Sequence, residues 1–545
     1  VTATAMPGSP IMRRVGGIAW RAIPAVFIAG LFIWPVATLV RRAWSAADTE
    51  SGGIGSIVER TDAIHLLGVT LGQAAASTVL AIVAAIPIVW LYTRVRGPAA
   101  VVLTVVVTVP FVLPTVVVGV AFRAVFDGPL AFTGIESGLP AVLVAHVFLN
   151  VAVVVRVVGA AWRALDPRVV DAARTLGAGR LRAFVTVVAP RLAPAVAAAA
   201  TLVFLFCATS FGVIILLGGG TLRTLETEIY TQAISYFRLP EAVVLSMVQI
   251  VVVVAALVVS RVVSGSAGAG SAGVFEPRRS RGGPGQLLAL AAAGVWTVAL
   301  LVAPILGLVW RSVFPDSAGG ATLDGYRALA DPVNGVTPLA TLRYSLGTAA
   351  LAMVIALVVG LLGALALHRP RGVVAGIGGI IAMIPLGISA VTLGFGYLLV
   401  LAALPYEVAA SPLIIPCVQA LIAIPLVIRI MMPALESIPP RLRAAAASLG
   451  AGPIRVFVDV DLPIIGRSLG AAGGFAFVMA LGEFGATSFL ARPDTTTLPV
   501  LIGSSLNRPG AHYFATAMAA SVLMVAVTTA AVIVVEVFRP RSGVL

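Results

Sequence analysis

Apolar runs of about 20 residues, each long enough to cross a bilayer as a helix, recur along the chain between short polar stretches. The pattern predicts spans near residues 22–40, 68–92, 99–122, 139–162, 193–217 and 242–263, then near 287–310, 344–367, 373–403, 412–435, 468–490 and 514–537. The expectation is about 12 transmembrane helices and an all-α polytopic membrane protein. The run at 373–403 is long enough to hold a tilt or a break. The first run lacks a small-residue cleavage site and is followed by similar runs, so it reads as a permanent helix rather than a removed signal peptide.

Two of the polar stretches are copies of each other. DAARTLGAGRLRAFVTVVAP begins at Asp171 and AAAASLGAGPIRVFVDVDLP at Ala444, an offset of 444 − 171 = 273 residues. With no gap, that offset carries Gly177 onto Gly450, Phe184 onto Phe457, Pro190 onto Pro463, Phe211 onto Phe484 and Thr224-Leu225 onto Thr497-Leu498. A register held so far marks an internal duplication. The expected organisation is a first unit at 1–263, a flexible linker at 264–286 and a second unit at 287–545. The linker SGSAGAGSAGVFEPRRSRGGPG, from Ser264, has the Gly/Ser/Ala content of a tether.

Alternate loops separate by charge. One set carries arginine: Arg13 and Arg14, Arg94 and Arg96, the run from Arg163 to Arg191, Arg278 and Arg279, Arg369 and Arg371, the run from Arg429 to Arg467, and Arg539. The other holds Asp48, Glu59, Asp62, Asp127, Glu136, Glu226, Glu228 and Glu241. By the positive-inside rule the first set is cytoplasmic, with both termini inside. Six spans per unit give both units the same orientation, as parallel repeats.

Composition supports the membrane reading, with 60% hydrophobic and 11% charged residues and a mean hydropathy of +1.08. The formal charge of +14 does not imply nucleic acid, because the arginines sit at span ends rather than in a basic domain. There is no lysine, which excludes a P-loop for nucleotide in this chain. Cys207 and Cys417 fall inside spans, and His65, His146, His368 and His512 show no metal-ligand spacing. No nucleophile or acid–base constellation appears, so neither a catalytic nor a metal site is expected. A secondary transporter of twelve spans remains an alternative, although it needs charged groups in the membrane and the spans offer little beyond Glu483.

Each repeated loop, at 163–192 and 436–467, reads as helix, glycine turn, helix. Asp166 and Pro167 start the first short helix and Gly177 stops it. An isolated loop of this kind could be a re-entry elbow anchored to lipid headgroups; two in register suit a two-fold partner. The stretches DAARTLG and AAAASLG, each closed by a proline, resemble the "EAA" loop of ATP-binding-cassette importer permeases. The resemblance covers nearly the whole chain and implies the type I importer permease fold. It also implies coupling to ATPase subunits through Asp171, Ala172, Ala173, Gly177, Ala444, Ala445, Ala446 and Gly450. The implied partners are two copies of a cytoplasmic ATPase that carry ATP and Mg, an extracytoplasmic substrate-binding protein and the bacterial inner membrane. The chain itself needs no cofactor. Asp171 stands where the family has Glu and keeps its charge, whereas Ala444 loses it, so the first loop is expected to dock through the stronger polar contact. ILLGGGTLRTLETEIYTQAISY, from Ile215, and LVAHVFLN, from Leu143, look like the thiamine type within this family. Ferric iron is the alternative substrate.

Polar groups within apolar spans suggest where a substrate passes. Glu483 lies in MALGEFGATSFL, and the offset pairs it with Ser210. Ser210, Phe211, Glu483 and Phe484 are the expected translocation-path residues, facing one another across the pseudo-axis. A carboxylate among aromatics suits an organic cation; the plainer alternative for Glu483 is helix packing. Asn150 and Gln419 are further polar positions, of the kind that more often joins helices. The segments 218–241 and 491–513 are expected to form the outer face that receives the binding protein.

Overall fold

The computed structural model describes residues 23–49, 53–264, 283–315, 320–333, 335–368 and 389–538. Among these residues there are helices and no β-strand. The first half contains α1 (Ile23–Ser45), α2 (Ala63–Tyr92), α3 (Pro98–Val112), α4 (Thr115–Phe126), α5 (Leu139–Arg163), α6 (Pro167–Thr175), α7 (Arg180–Ala208), α8 (Gly212–Leu217), α9 (Leu225–Tyr230) and α10 (Leu239–Ser264). The second contains α11 (Pro284–Leu301), α12 (Ala303–Val313), α13 (Pro338–Leu367), α14 (Ala390–Leu401), α15 (Ile414–Glu436), α16 (Pro440–Ser448), α17 (Pro453–Leu481), α18 (Thr487–Leu490), α19 (Leu498–Leu506) and α20 (Ala511–Phe538).

Ten of the described helices are long and apolar enough to cross a membrane, and α3 with α4 forms an eleventh span bent by 101°. The straight span expected at 99–122 is therefore broken. Pro114 disfavours helical backbone at Leu113, and the two residues take extended ψ angles of 140° and 134°. Of the expected span at 373–403, residues 373–388 lie outside the described residues, and α14 forms the remainder. Most of the expected linker, 265–282, and both termini also lie outside them.

The fifth span of each half starts and stops earlier than its apolar run suggests. α7 begins in the repeated loop at Arg180 and α17 at Pro453, and each continues into the bundle as a helix of 29 residues. A π-turn, Phe184–Val188 in one and Phe457–Asp461 in the other, precedes Pro190 and Pro463, which cannot donate to the helical ladder. Both helices end before the apolar run does, at Ala208 and Leu481, and a short helix comes after each break.

The halves interlock. α1 packs on α14, where the Tyr397 hydroxyl donates to the Leu31 carbonyl at 2.5 Å. α12 packs on α4, where a Cβ at Gly307 would stand 2.6 Å from a methyl of Val125. The first span of each half thus lies against the third span of the other. Close approach also fixes the start of α8 and its counterpart. Gly212 leaves no room for a Cβ against Thr115, and a Cβ at Gly485 would come within 2.9 Å of Ala390. Gly212→Val should therefore lower the thermal midpoint of the detergent-solubilised protein, by overpacking of about 1–3 kcal/mol. Gly466→Ala, which meets nothing within 4 Å, should leave it unchanged. Equal midpoints for the two variants would contradict this packing.

Candidate functional site

The two repeated loops have the same backbone. α6 starts behind Asp166, whose carboxylate accepts the Arg168 N–H at 2.9 Å, and α16 starts behind Pro439. Gly177 (φ 87°) and Gly450 (φ 83°) then turn the chain in the left-handed region, which a residue without Cβ adopts freely. Asp171 and Ala172 are exposed on α6 and Ala173 half-buried, as are Ala444, Ala445 and Ala446 in the same order on α16. The apolar tips project furthest: Leu176 is 89% exposed and its counterpart Leu449 88%. Leu181 and Ile454 are also exposed.

The loops differ in what ties them to the bundle. In the first half, Val170 and Val188 pack into the core. At the equivalent positions the second half has Arg443 and Asp461, paired at 2.8 Å, with His368 at 3.4 Å from the same guanidinium. An apolar contact in one copy is thus an ion pair in the other.

About 40 Å along α7 and α17 from the loops, at 1.5 Å rise per residue, lie the breaks that carry the expected path residues. Phe211 and Phe484 meet there, stacked with centroids 5.2 Å apart and planes 18° apart. Tyr230 leans on Phe211 at 5.1 Å and meets Phe489 edge-on at 5.3 Å. Gly503, the repeat counterpart of Tyr230, seats the Phe484 ring, which would be 3.3 Å from a Cβ there. Contributed by both halves, these rings close the centre of the bundle.

Ser210 and Glu483 occupy equivalent places but act differently. The Ser210 hydroxyl bonds His146 Nε2 at 2.9 Å, and His146 Nδ1 bonds Ser77 at 3.0 Å. Gln73 donates to the Cys207 carbonyl at 2.8 Å and Gln249 to that of Ala208 at 3.3 Å, so side chains of α2 and α10 satisfy the end of α7. Asn150 donates to the His146 carbonyl at 2.9 Å and to Cys207 Sγ at 3.4 Å. Gln419, the counterpart of His146, is buried. Glu483 lies in the break after α17 rather than within a continuous span. Its two oxygens accept the N–H groups of Ala486 and Thr487 at 2.7 and 2.9 Å, holding the start of α18.

The segments expected to form an outer face are not wholly exposed. Residues 224–229 and 497–499 are buried, and each segment dips into the bundle as a short helix, α9 or α19. The first N–H of each helix is taken by a hydroxyl of its own second span: Leu225 by Thr70 at 3.0 Å and Leu498 by Ser345 at 2.7 Å. Only the flanks, near 219–223 and 235–239 in one and 493–494 and 507–512 in the other, are exposed. Glu226 and Glu228, expected in a polar loop, are therefore interior. The Glu226 carboxylate receives Ser389 Oγ at 2.5 Å and Gln249 Nε2 at 2.7 Å. The spacing Leu225, Ile229, Ala233 is the sequence signal of that buried face.

Residues 77–280 match the family described as binding-protein-dependent transport system inner membrane component. The chain is 27% identical over 504 residues to the thiamine transport system permease protein ThiP of Brucella abortus (strain 2308), covering 89% of this chain and 90% of that protein. It is 26% identical over 471 residues to ThiP of Escherichia coli (strain K12), covering 82% and 85%. The sulfate transport system permease protein CysT of Salmonella typhimurium (strain LT2) is 28% identical over 229 residues, 40% of this chain and 79% of its own. The resemblance read from the repeated loops thus extends along most of the chain.

Because Glu483 satisfies two backbone N–H groups in a buried break, Glu483→Ala should destabilise the purified protein by about 1–3 kcal/mol, measured as a lower thermal midpoint. Glu483→Gln, which keeps one acceptor, should fall between. An unaltered midpoint for the alanine variant would show that the cap contributes nothing.

Proposed function

We propose that the chain is the membrane subunit of an importer that carries thiamine, handed over by a separate binding protein and driven by ATP hydrolysis on two separate cytoplasmic subunits. The observation that carries this reading is the pair of equivalent loops. Each exposes a leucine at its tip and continues, past a glycine turn, into a helix that runs to the break beside the Phe211–Phe484 stack. A partner that drew the two loops together would move both helices as levers and part the rings at their far ends. The thiamine permeases that match most of the chain supply the substrate. Ferric iron by the same architecture is the alternative, but the rings around the break suit an organic cation better than a hard metal ion, which prefers oxygen ligands. In this reading Asp171, Ala172, Ala173 and Gly177, with Ala444, Ala445, Ala446 and Gly450, form the docking surface for the ATPase, and the loops face the cytoplasm.

In proteoliposomes holding the permease, its ATPase and its binding protein, thiamine uptake should require ATP, and the permease alone should neither bind nor hydrolyse nucleotide. ATP-independent uptake driven by an ion gradient would instead identify a secondary transporter. Leu176→Asp and Leu449→Asp should each weaken ATPase affinity at least tenfold without altering the permease's thermal midpoint, since both side chains are exposed. Gly177→Val has open space for its side chain but a φ of 87° to sustain, so it should uncouple ATP hydrolysis from uptake. Asp171→Ala should weaken ATPase binding while Ala444→Glu leaves it equal or stronger; the opposite order would contradict unequal docking.

A further inference from the structure

Glu226 is the least compensated carboxylate of the bundle interior. It is fully buried, and its hydrogen-bond donors are the neutral groups of Ser389 and Gln249. Among the described residues no arginine or histidine lies within ion-pair distance of it. Its neighbours differ in this respect. Glu228 faces Arg223 at 3.6 Å, and Glu483 is held by two backbone N–H groups. A carboxylate taken out of water without a counter-charge is strongly unfavourable, so a charged Glu226 calls for a positive partner, which none of the described residues supplies.

Its position says what that partner is. Tyr230 lies one turn along the same helix, on the same face, and its ring joins Phe211 and Phe489. Phe211 in turn stacks on Phe484 of the other half. Ser389, which orients the carboxylate, also belongs to the second half. The duplication does not repeat the site: the counterparts of Glu226 and Tyr230 are Pro499 and Gly503, which carry neither charge nor ring. At this place one half offers a carboxylate with a tyrosine ring one turn away, and the equivalent place in the other half offers neither.

We infer that Glu226 and Tyr230, with Phe211, Phe484 and Phe489, form a single way-station for an organic cation, occupied when the Phe211–Phe484 stack parts. The carboxylate neutralises the passing charge and the rings bind it through their faces. This assignment rests on the thiamine reading, since thiamine carries a fixed positive charge.

The test is the number of thiamine molecules moved per ATP hydrolysed by the reconstituted complex with its binding protein. Glu226→Gln keeps size and hydrogen bonding but removes the charge, and should lower that ratio at least tenfold; Glu228→Gln should match wild type. A purely structural Glu226 would lower uptake and hydrolysis together and leave the ratio unchanged. A carboxyl kept neutral by a proton would make Gln, its neutral mimic, silent. Either result overturns the assignment. If Glu226→Gln fails to assemble, Glu226→Asp and Glu226→Asn, equal in size and different in charge, are compared: equal ratios overturn it, and a tenfold higher ratio for Asp supports it. A wild-type complex that hydrolyses ATP but moves no thiamine overturns the substrate reading and this assignment with it.

Discussion

A helix that breaks inside a membrane protein exposes backbone groups that water cannot reach, and each must find a partner within the bundle. The protein breaks its fifth span in both halves, and much of its interior polarity is there to make those breaks tolerable. In the first half Gln73 and Gln249 take the free carbonyls and His146 anchors Ser210. In the second, Glu483 takes the free N–H groups itself. The re-entrant helices after the breaks are held in the same way by Thr70 and Ser345. The breaks provide a pair of ring-bearing elbows at the centre, which an unbroken helix could not form.

Duplication supplies the backbone twice but not the chemistry. Equivalent positions hold a valine contact in one loop and an ion pair in the other. They hold a serine–histidine bond at one break and a carboxylate cap at the other, a tyrosine against one phenylalanine and a glycine beneath the next. Each pair solves one packing problem by two routes, so the pseudo-two-fold axis relates positions and not functions.

The sequence was legible where one physical signal dominated. Long apolar runs mark spans because a bilayer demands them, and Gly177 and Gly450 mark turns because their backbone needs positive φ. The pairing of Phe211 with Phe484 came from the 273-residue register alone. The bend at Pro114 was hidden because the apolar run passes through it unbroken, and composition does not distinguish a straight span from a folded one. Glu226 was hidden for the opposite reason. Arg223, Glu226, Glu228 and three threonines make TLRTLETEIY look solvated, and only the apolar face at Leu225 and Ile229 shows that the segment turns inward.

The exchange of first spans between halves has a consequence for biogenesis. The hydroxyl that bonds the α1 carbonyl of Leu31 belongs to a residue 366 positions later in the chain. At the usual 5–20 residues per second, roughly 20 to 70 seconds of synthesis separate the two. Through that interval α1 sits in the lipid with the face that will meet α14 still uncovered, as a completed helix awaiting a surface not yet made. The first half therefore cannot mature by itself at the ribosome. Its last packing step waits until the third span of the second half arrives and locks α1 in place.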